Sequence, residues 1–312
     1  MSCANSRFFR TTLYANKEVS DYLRDHFVLH WKSVRPVPHI TVDFGDGRKL
    51  ERTITGNSIH YVLDAKGEVI DALPGLYGAR AFLTEIKNAE QIATQVAHSD
   101  PQFRGRLLER YHLARLREIN DRWSADIAQA SVKPVQIAAN EPVRVVRAQP
   151  PAAAAMPLAL SKAMVEQPML RALAPRRAAL ESSTDDQLWR KLAALHTNDV
   201  VLDANVRALI RVKRPFGTNT AWMDRHILGP ERYYKQMFSA LENSIAEDTV
   251  RNEYLFHAKI HEWLATPTPS FTVDSLNSRV YAELFLTPES DPWLGLAPRN
   301  QFSALENGGL VE

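Results

Sequence analysis

The chain has one cysteine, Cys3, in 312 residues. An intrachain disulfide and a multi-cysteine zinc site are thereby excluded. No stretch approaches the roughly 18 consecutive apolar residues of a membrane helix, so no membrane span is expected. Charge of one sign is also lacking. Lys and Arg number 38 against 36 Asp and Glu, a formal net charge of +2. That balance gives no bulk attraction to nucleic acid or to an anionic membrane. No glycine loop of the phosphate-cradling kind is present, and no serine stands in a nucleophile-elbow context. No cofactor is therefore expected. The N-terminus lacks the charged start and apolar block of a secretion signal; taken as given, the chain is expected in the cytoplasm. Its composition is that of a soluble globular protein, and its length suits about two domains.

In the first third, apolar residues recur at three- and four-residue steps through Phe8, Phe9, Leu13, Val19, Tyr22, Leu23 and Phe27. This spacing predicts an amphipathic helix, broken near Ala15-Asn16. Phe27-Val28-Leu29-His30-Trp31 reads as a short buried strand. Pro36 and Pro38 then exclude central strand or helix. His39 to Phe44 and Lys49 to Ile54 alternate with period two around Gly45-Asp46-Gly47, which predicts a β-hairpin. His60 to Asp64 and Glu68 to Leu73, around Ala65-Lys66-Gly67, predict a second. Ala79 to Val96 reads as a helix with Phe82, Leu83, Ile86, Ile92 and Val96 on its apolar side.

A cysteine opening a helix, followed by strand, hairpins and helix, resembles the thioredoxin-like superfamily, in its branch of short thiol-redox domains. Cys3-Ala4-Asn5-Ser6 stands at the Cys-x-x-Cys motif. Val19, Leu23, Phe27 and Val28 fall where that branch has its own run into the next strand. Tyr61 to Ile70 resembles its closing strand-turn-strand, and Ala79 to Val96 its last helix. The resemblance covers residues 1–97 and implies an α/β thioredoxin-like domain with thiol-redox ancestry. Ser6 replaces the second cysteine, and Thr55-Gly56-Asn57-Ser58 has no proline where the family has a cis-proline. The family's leading strands would precede Cys3, so an N-terminally truncated domain is expected. A missing leader would make the protein periplasmic or exported.

Beyond residue 97 the chain changes character. Pro101 to Ile127 predicts a long helix, with Phe103, Leu107, Leu108, Tyr111, Leu116, Ile119 and Trp123 along its stripe. Its arginines, Arg104, Arg106, Arg110, Arg115, Arg117 and Arg122, read as a solvated basic face, with an anion- or RNA-binding face as the alternative. Residues 129–183 have the Pro/Ala-rich composition of a linker. From Thr184 a mainly α-helical domain follows. Its expected helices start at Asp185 (capped by Ser183 or Thr184), Asp199, Pro230, Asp248 and Thr272. An extended C-terminal arm from Thr287 ends the chain.

Cys3 carries the sharpest chemistry. A thiolate at a helix N-terminus is stabilised by free N–H groups and the helix dipole. With Ser6 in the resolving position, only monothiol exchange or redox sensing is open. The catalytic candidates are thus Cys3 and Ser6, with a client thiol or protein as partner. The alternative is a non-catalytic binding or scaffold protein built on a degenerate domain. Glu253, His257 and His261 lie at four-residue steps and read as one exposed polar helix face. Two such histidines can hold a divalent metal, but no His-Glu-x-x-His motif is present and no metal site is assigned. His39, His60, Asp64 and Asp71 lie on strands or turns without a recognisable motif.

Overall fold

The computed structural model describes residues 4–34, 39–53, 57–130, 186–214, 229–266, 271–285 and 289–290. Helix α1 (Ala4–Thr11) and α2 (Lys17–His26) are separated where the sequence places a break. Asn16 caps α2, its side chain accepting the Val19 N–H at 3.1 Å. Phe9, Leu13 and Val19 anchor the pair in the core. The strand expected at Phe27–Trp31 is corrected: residues 27–34 form no strand, and Val28 and Trp31 are exposed. A strand needs a neighbour to take its backbone donors and acceptors, and no described strand pairs with this segment.

Both hairpins are present. Strand β1 (His39–Asp43) pairs antiparallel with β2 (Lys49–Thr53). Strand β3 (Ile59–Leu63) pairs antiparallel with β4 (Val69–Pro74), His60 standing opposite Leu73. Gly45 and Gly67 hold φ near +77° and +79° in the two turns, a conformation that strongly favours glycine. The hairpins remain two separate two-stranded sheets, and no parallel pair occurs among the described residues. The described fold is therefore mostly helical.

Helix α3 (Ala79–Ala97) buries Phe82, Leu83, Ile86, Ile92 and Val96 as expected. After a 3₁₀ turn comes α4 (Arg104–Gln129), then α5 (Asp186–Leu195), α6 (Ala204–Lys213) and α7 (Gly229–Arg251). A six-residue π-helical segment, Asn252–His257, joins α7 to α8 (Ala258–Leu264), and α9 (Val273–Arg279) continues into a π turn at Val280–Leu284. The helix expected from Asp199 begins instead at Ala204, because the Asp203 carboxylate accepts the Val206 N–H at 2.8 Å and caps it there. The helices expected from Pro230 and Asp248 are one run from Gly229 to Leu264. No proline or glycine stands between Leu241 and Asp248 to end it. Thr272 and Ser275 form the capping box of α9. The expected linker lies almost wholly outside the described residues, and so does most of the C-terminal arm.

Three apolar cores hold these elements. Helix α4 contributes Ile119 and Ile127 to a cluster with α5, α6 and α7. Helices α1 to α3 pack with β3 and β4 around Phe9, Ile70, Leu73 and Phe82. The third cluster joins Val69 and Ala72 of β4 to Phe256, Ile260, Trp263, Leu276 and Tyr281. Strand β4 is thus covered from two sides, and all six of its residues are buried. Any polar side chain on it must find its partners inside the protein.

The loop after β4 packs closely against the C-terminal half. Gly78, the N-cap of α3, donates its N–H to Thr249 Oγ at 2.8 Å. A Cβ at Gly78 would lie 2.5 Å from the Asp199 carbonyl oxygen and in collision with Val200. Backbone atoms cannot yield as a flexible side chain would. Gly78→Ala is expected to lower stability by about 1–3 kcal/mol, as for other overpacked sites. Urea unfolding of the variant measures it, and an unchanged midpoint would show that the two segments are not held this tightly.

Candidate metal centre

At the middle of β4 sits Asp71, a carboxylate with no solvent exposure. One of its oxygens, Oδ1, accepts the Ala72 N–H at 2.7 Å and lies 3.2 Å from His257 Nε2. The other, Oδ2, accepts the Tyr111 hydroxyl at 2.8 Å. Around it are the inward-facing polar residues of three helical elements. Helix α3 supplies Glu85 from within its apolar stripe. Helix α4 supplies Tyr111, His112, Arg115 and Arg122. The π segment and α8 supply Glu253, His257 and His261 at four-residue steps. Glu85, His112, Arg115, Glu253, His257 and His261 are all buried, the last four-step pair completely.

The face carrying Glu253, His257 and His261 is therefore an interior face, which corrects the expectation of an exposed one. The basic face expected on α4 is corrected in part. Arg115 pairs with Glu85 and lies 3.9 Å from Glu253, and Arg122 Nη2 lies 2.7 Å from Glu253 Oε1. Arg104 pairs with Asp64 at 2.7 Å at the hairpin turn.

The ionisation pattern follows from these distances. Burial favours neutral His257, but Glu253 and Asp71 outweigh it and raise its pKa to about 10. Burial likewise opposes ionised Glu253, and His257, Arg122 and Arg115 reverse this, bringing its pKa to about 2. Glu85 is raised to about 7 by burial and by Glu253, against the pull of His257 and the two arginines. Burial would raise Asp71 too, but the imidazoles of His261, His257 and His112 hold it well below the usual carboxylate range. His112 is lowered to about 4, and His261 well below its ordinary value, both chiefly by burial. The Tyr111 phenol is pushed far up by burial and then by Asp71. Near neutral pH the cluster holds an imidazolium at His257 and two neutral imidazoles at His112 and His261.

Two sets of potential metal ligands result, Asp71 with His112 and His261, and Glu85 with Glu253 and His257, each with donor atoms within 4.8 Å of one another. The second set is already occupied by cations. Arg115 is on Glu85, while Arg122 and protonated His257 are on Glu253. A divalent ion about 4 Å from a guanidinium would be repelled by about 8 kcal/mol at an effective dielectric constant of 20. In the first set no arginine pairs with a member among the described residues, although His257 lies 3.2 Å from Asp71 Oδ1 and its ring centroid is 4.1 Å from that of His261. Burial favours the neutral form of His112 and His261, the form that metal ligation requires. His112 Nδ1 and His261 Nδ1 are 2.9 Å apart, so one hydrogen serves two lone pairs. His261 Nε2 is buried and has no hydrogen-bond partner among the described residues, a shortfall worth about 1–3 kcal/mol in either tautomer.

Of the residues singled out in the sequence for their chemistry, Asp71, Glu253, His257 and His261 meet here. His60 lies elsewhere and is half-buried, 2.6 Å from the Tyr14 hydroxyl and edge-on to Phe9 and Phe82. Cys3 lies outside the described residues, and Ser6 falls within α1. Glu85, Tyr111, His112, Arg115 and Arg122 carry no recognised motif. Their one sequence signal is position: Glu85 lies between Phe82 and Ile86, and Arg115 follows Tyr111 by one turn, on stripes otherwise apolar. No protein-family model matches the chain, and neither a curated protein nor a solved structure matches it significantly.

Proposed function

We propose that the protein binds a single transition-metal ion through Asp71, His112 and His261, with His257, Glu253 and the two arginines as the shell that orients the ligands. The observation that carries this reading is the pair of buried imidazoles of His112 and His261 whose donor atoms lie within 4.8 Å of one another and of the buried Asp71 carboxylate, with a ring nitrogen of His261 left without a partner among the described residues. Two imidazoles and a carboxylate suit iron, manganese or zinc. Three protein ligands leave coordination positions open, as catalytic centres do and closed structural sites do not. His257 on Asp71 is the kind of outer partner that fixes a ligand's orientation. The π-helical turn that delivers Glu253 and His257 belongs to a class of irregularity often found at functional sites.

The test is metal content and calorimetric titration of the full chain with zinc, manganese and ferrous iron. One ion per chain is expected, with affinity falling at least about 100-fold in His261→Ala, beyond the 10- to 100-fold effect of an outer-shell change. Bound metal is also expected to raise the unfolding temperature of the unsubstituted chain and not that of the variant. Absence of binding, or binding that His261→Ala leaves unchanged, would overturn the assignment.

A second reading is thiol exchange or redox sensing at Cys3 in a thioredoxin-like domain. The observation in its favour is that α1 begins at Ala4, so the helix expected behind the cysteine is present. It otherwise rests on the sequence resemblance, since the described strands pair only antiparallel in separate hairpins. Alkylation of Cys3 against pH tests it. A thiol titrating near the ordinary value of about 8.5 would remove the support for a reactive thiolate.

A further inference from the structure

Residues 27–34 are a strand-type sequence without a sheet. The chain leaves α2 extended at Phe27, with φ −132° and ψ 147°. Phe27 packs on the core around Phe9 and Phe82, and Lys32 Nζ lies 3.3 Å from Asp274 Oδ1. Between these two anchors the segment stands clear of the protein. Val28 is fully exposed, Trp31 is 75% and Leu29 60% exposed, and His30 is exposed as well. Apart from the Phe27 N–H, donated to the Leu23 carbonyl at 3.1 Å, residues 27–34 make no backbone–backbone hydrogen bond among the described residues. Unpaired backbone groups beside large apolar side chains are a template for another strand, and contiguous exposed apolar surface marks an interaction site.

We propose that this segment is a dimerisation strand whose occupant is the same segment of a second copy, paired antiparallel about a two-fold axis at His30. The register follows from the side chains. With His30 opposite His30, Leu29 of each copy stands opposite Trp31 of the other. One face of the ladder then carries four apolar side chains and no charge, the kind of cross-strand pairing that stabilises a sheet. On the other face Val28 stands opposite Lys32, whose aliphatic stem covers it. A slip of one residue sets Leu29 against His30 or Lys32. A slip of two needs Phe27, which its own core holds, or sets Leu29 against Ser33. Charge does not oppose the pairing. Lys32 is the only Lys, Arg, Asp or Glu among residues 27–34. Its two copies stand at opposite ends of the ladder, about 13 Å apart at about 3.3 Å per residue, beyond the Debye length of about 8 Å. The two segments bury on the order of 1,000 Å² in total, the lower end for a specific interface, so the dimer is reversible and concentration-dependent.

The experiment is sedimentation velocity of the full chain from low to high micromolar concentration. A monomer–dimer equilibrium is expected. Leu29→Glu, at an exposed position, is expected to weaken it at least about tenfold and to leave the unfolding midpoint of the chain unchanged. Register is read by oxidative cross-linking in the Cys3→Ser background, which removes the only native thiol. His30→Cys sets two thiols opposite each other with Cα atoms about 4.5–5.5 Å apart, within disulfide reach. It is expected to cross-link faster than Val28→Cys, whose counterpart in the second copy is about 13 Å away. A chain that stays monomeric at every concentration would overturn the proposal and leave the segment to a different protein. Amide protection of residues 28–32 that does not change with concentration would overturn it in favour of cover by the same chain. A dimer that Leu29→Glu leaves intact, or that cross-links as readily through position 28 as through position 30, would overturn it as well.

Discussion

Arg115→Met is expected to cost about 3–5 kcal/mol of folding stability, the range for removing one partner of a buried ion pair. Arg115 is buried between Glu85 and Glu253, with Glu118 on its outer side. Methionine fills much of the space along the aliphatic stem, so the loss is chiefly electrostatic and little is cavity. What remains is a buried carboxylate at Glu85, with Arg122 no closer than 3.8 Å. Glu85 would then take up a proton more readily, because the guanidinium that favours its ionised form is gone. Two measurements follow. Urea unfolding at neutral pH gives the loss, and the double variant with Glu85→Gln is expected to recover part of it, since a neutral amide needs neither a counter-charge nor an added proton there. A loss under about 1 kcal/mol would mean that water reaches the cluster and solvates the carboxylate left behind.

His257→Gln is expected to be comparably destabilising near neutral pH and much less so in alkali. His257 bridges Glu253, 2.9 Å from Nδ1, and Asp71, 3.2 Å from Nε2. Its folded-state pKa of about 10 lies above the ordinary 6.5. The folded protein therefore holds the proton more tightly than the unfolded chain. This contribution is complete below pH 6.5, declines above it, and is gone once pH passes about 10. Glu253 has the opposite sign. Its pKa falls from 4.5 to about 2, so its contribution is present above pH 4.5 and is lost as pH drops through about 2. The unsubstituted protein should thus lose stability steadily between pH 6.5 and 10, and His257→Gln should flatten that limb. Unfolding free energies across this range test the idea. Parallel curves for the two proteins would mean that His257 is neutral in the folded state.

These two results bear on the proposed centre as well as on stability. A positively charged His257 beside Asp71 orients that carboxylate but also repels a metal ion. The network of arginines and glutamates is where the cluster balances its charge without metal. The imidazoles of His112 and His261 are where it keeps lone pairs available. Separating the roles experimentally requires both kinds of variant, the structural ones here and the ligand ones above.

Much of the local structure follows from the chain alone. Period-two alternation around glycine-bearing turns specifies both hairpins, since a positive φ in the turn strongly favours glycine. Asn16 and Thr272 announce helix starts because their side chains accept the otherwise free N–H groups there. The stripe of Phe82, Leu83, Ile86, Ile92 and Val96 identifies the buried side of α3. Each of these signals is carried by residues a few positions apart.

The centre is legible only in three dimensions. Spacing by four puts Glu253, His257 and His261 on one face, and that much is in the sequence. Whether the face looks at solvent or inward depends on what covers it. The cover is Asp71, 186 positions from His257, and His112, 149 positions from His261. Polar periodicity is the same for an exposed face and for one that meets a polar interior, so the sequence pattern carries no sign for burial. Strand β4 shows the converse. Asp71 looks like an ordinary strand carboxylate until two apolar cores close over Val69 to Pro74 and leave it only inward partners. Chain-local chemistry determined the hairpins, caps and helix faces, because hydrogen bonds and glycine conformations act over a few residues. The packing of β4 between α3 and α8 decided which charges are buried and which imidazoles stay neutral, because desolvation depends on the whole surrounding fold.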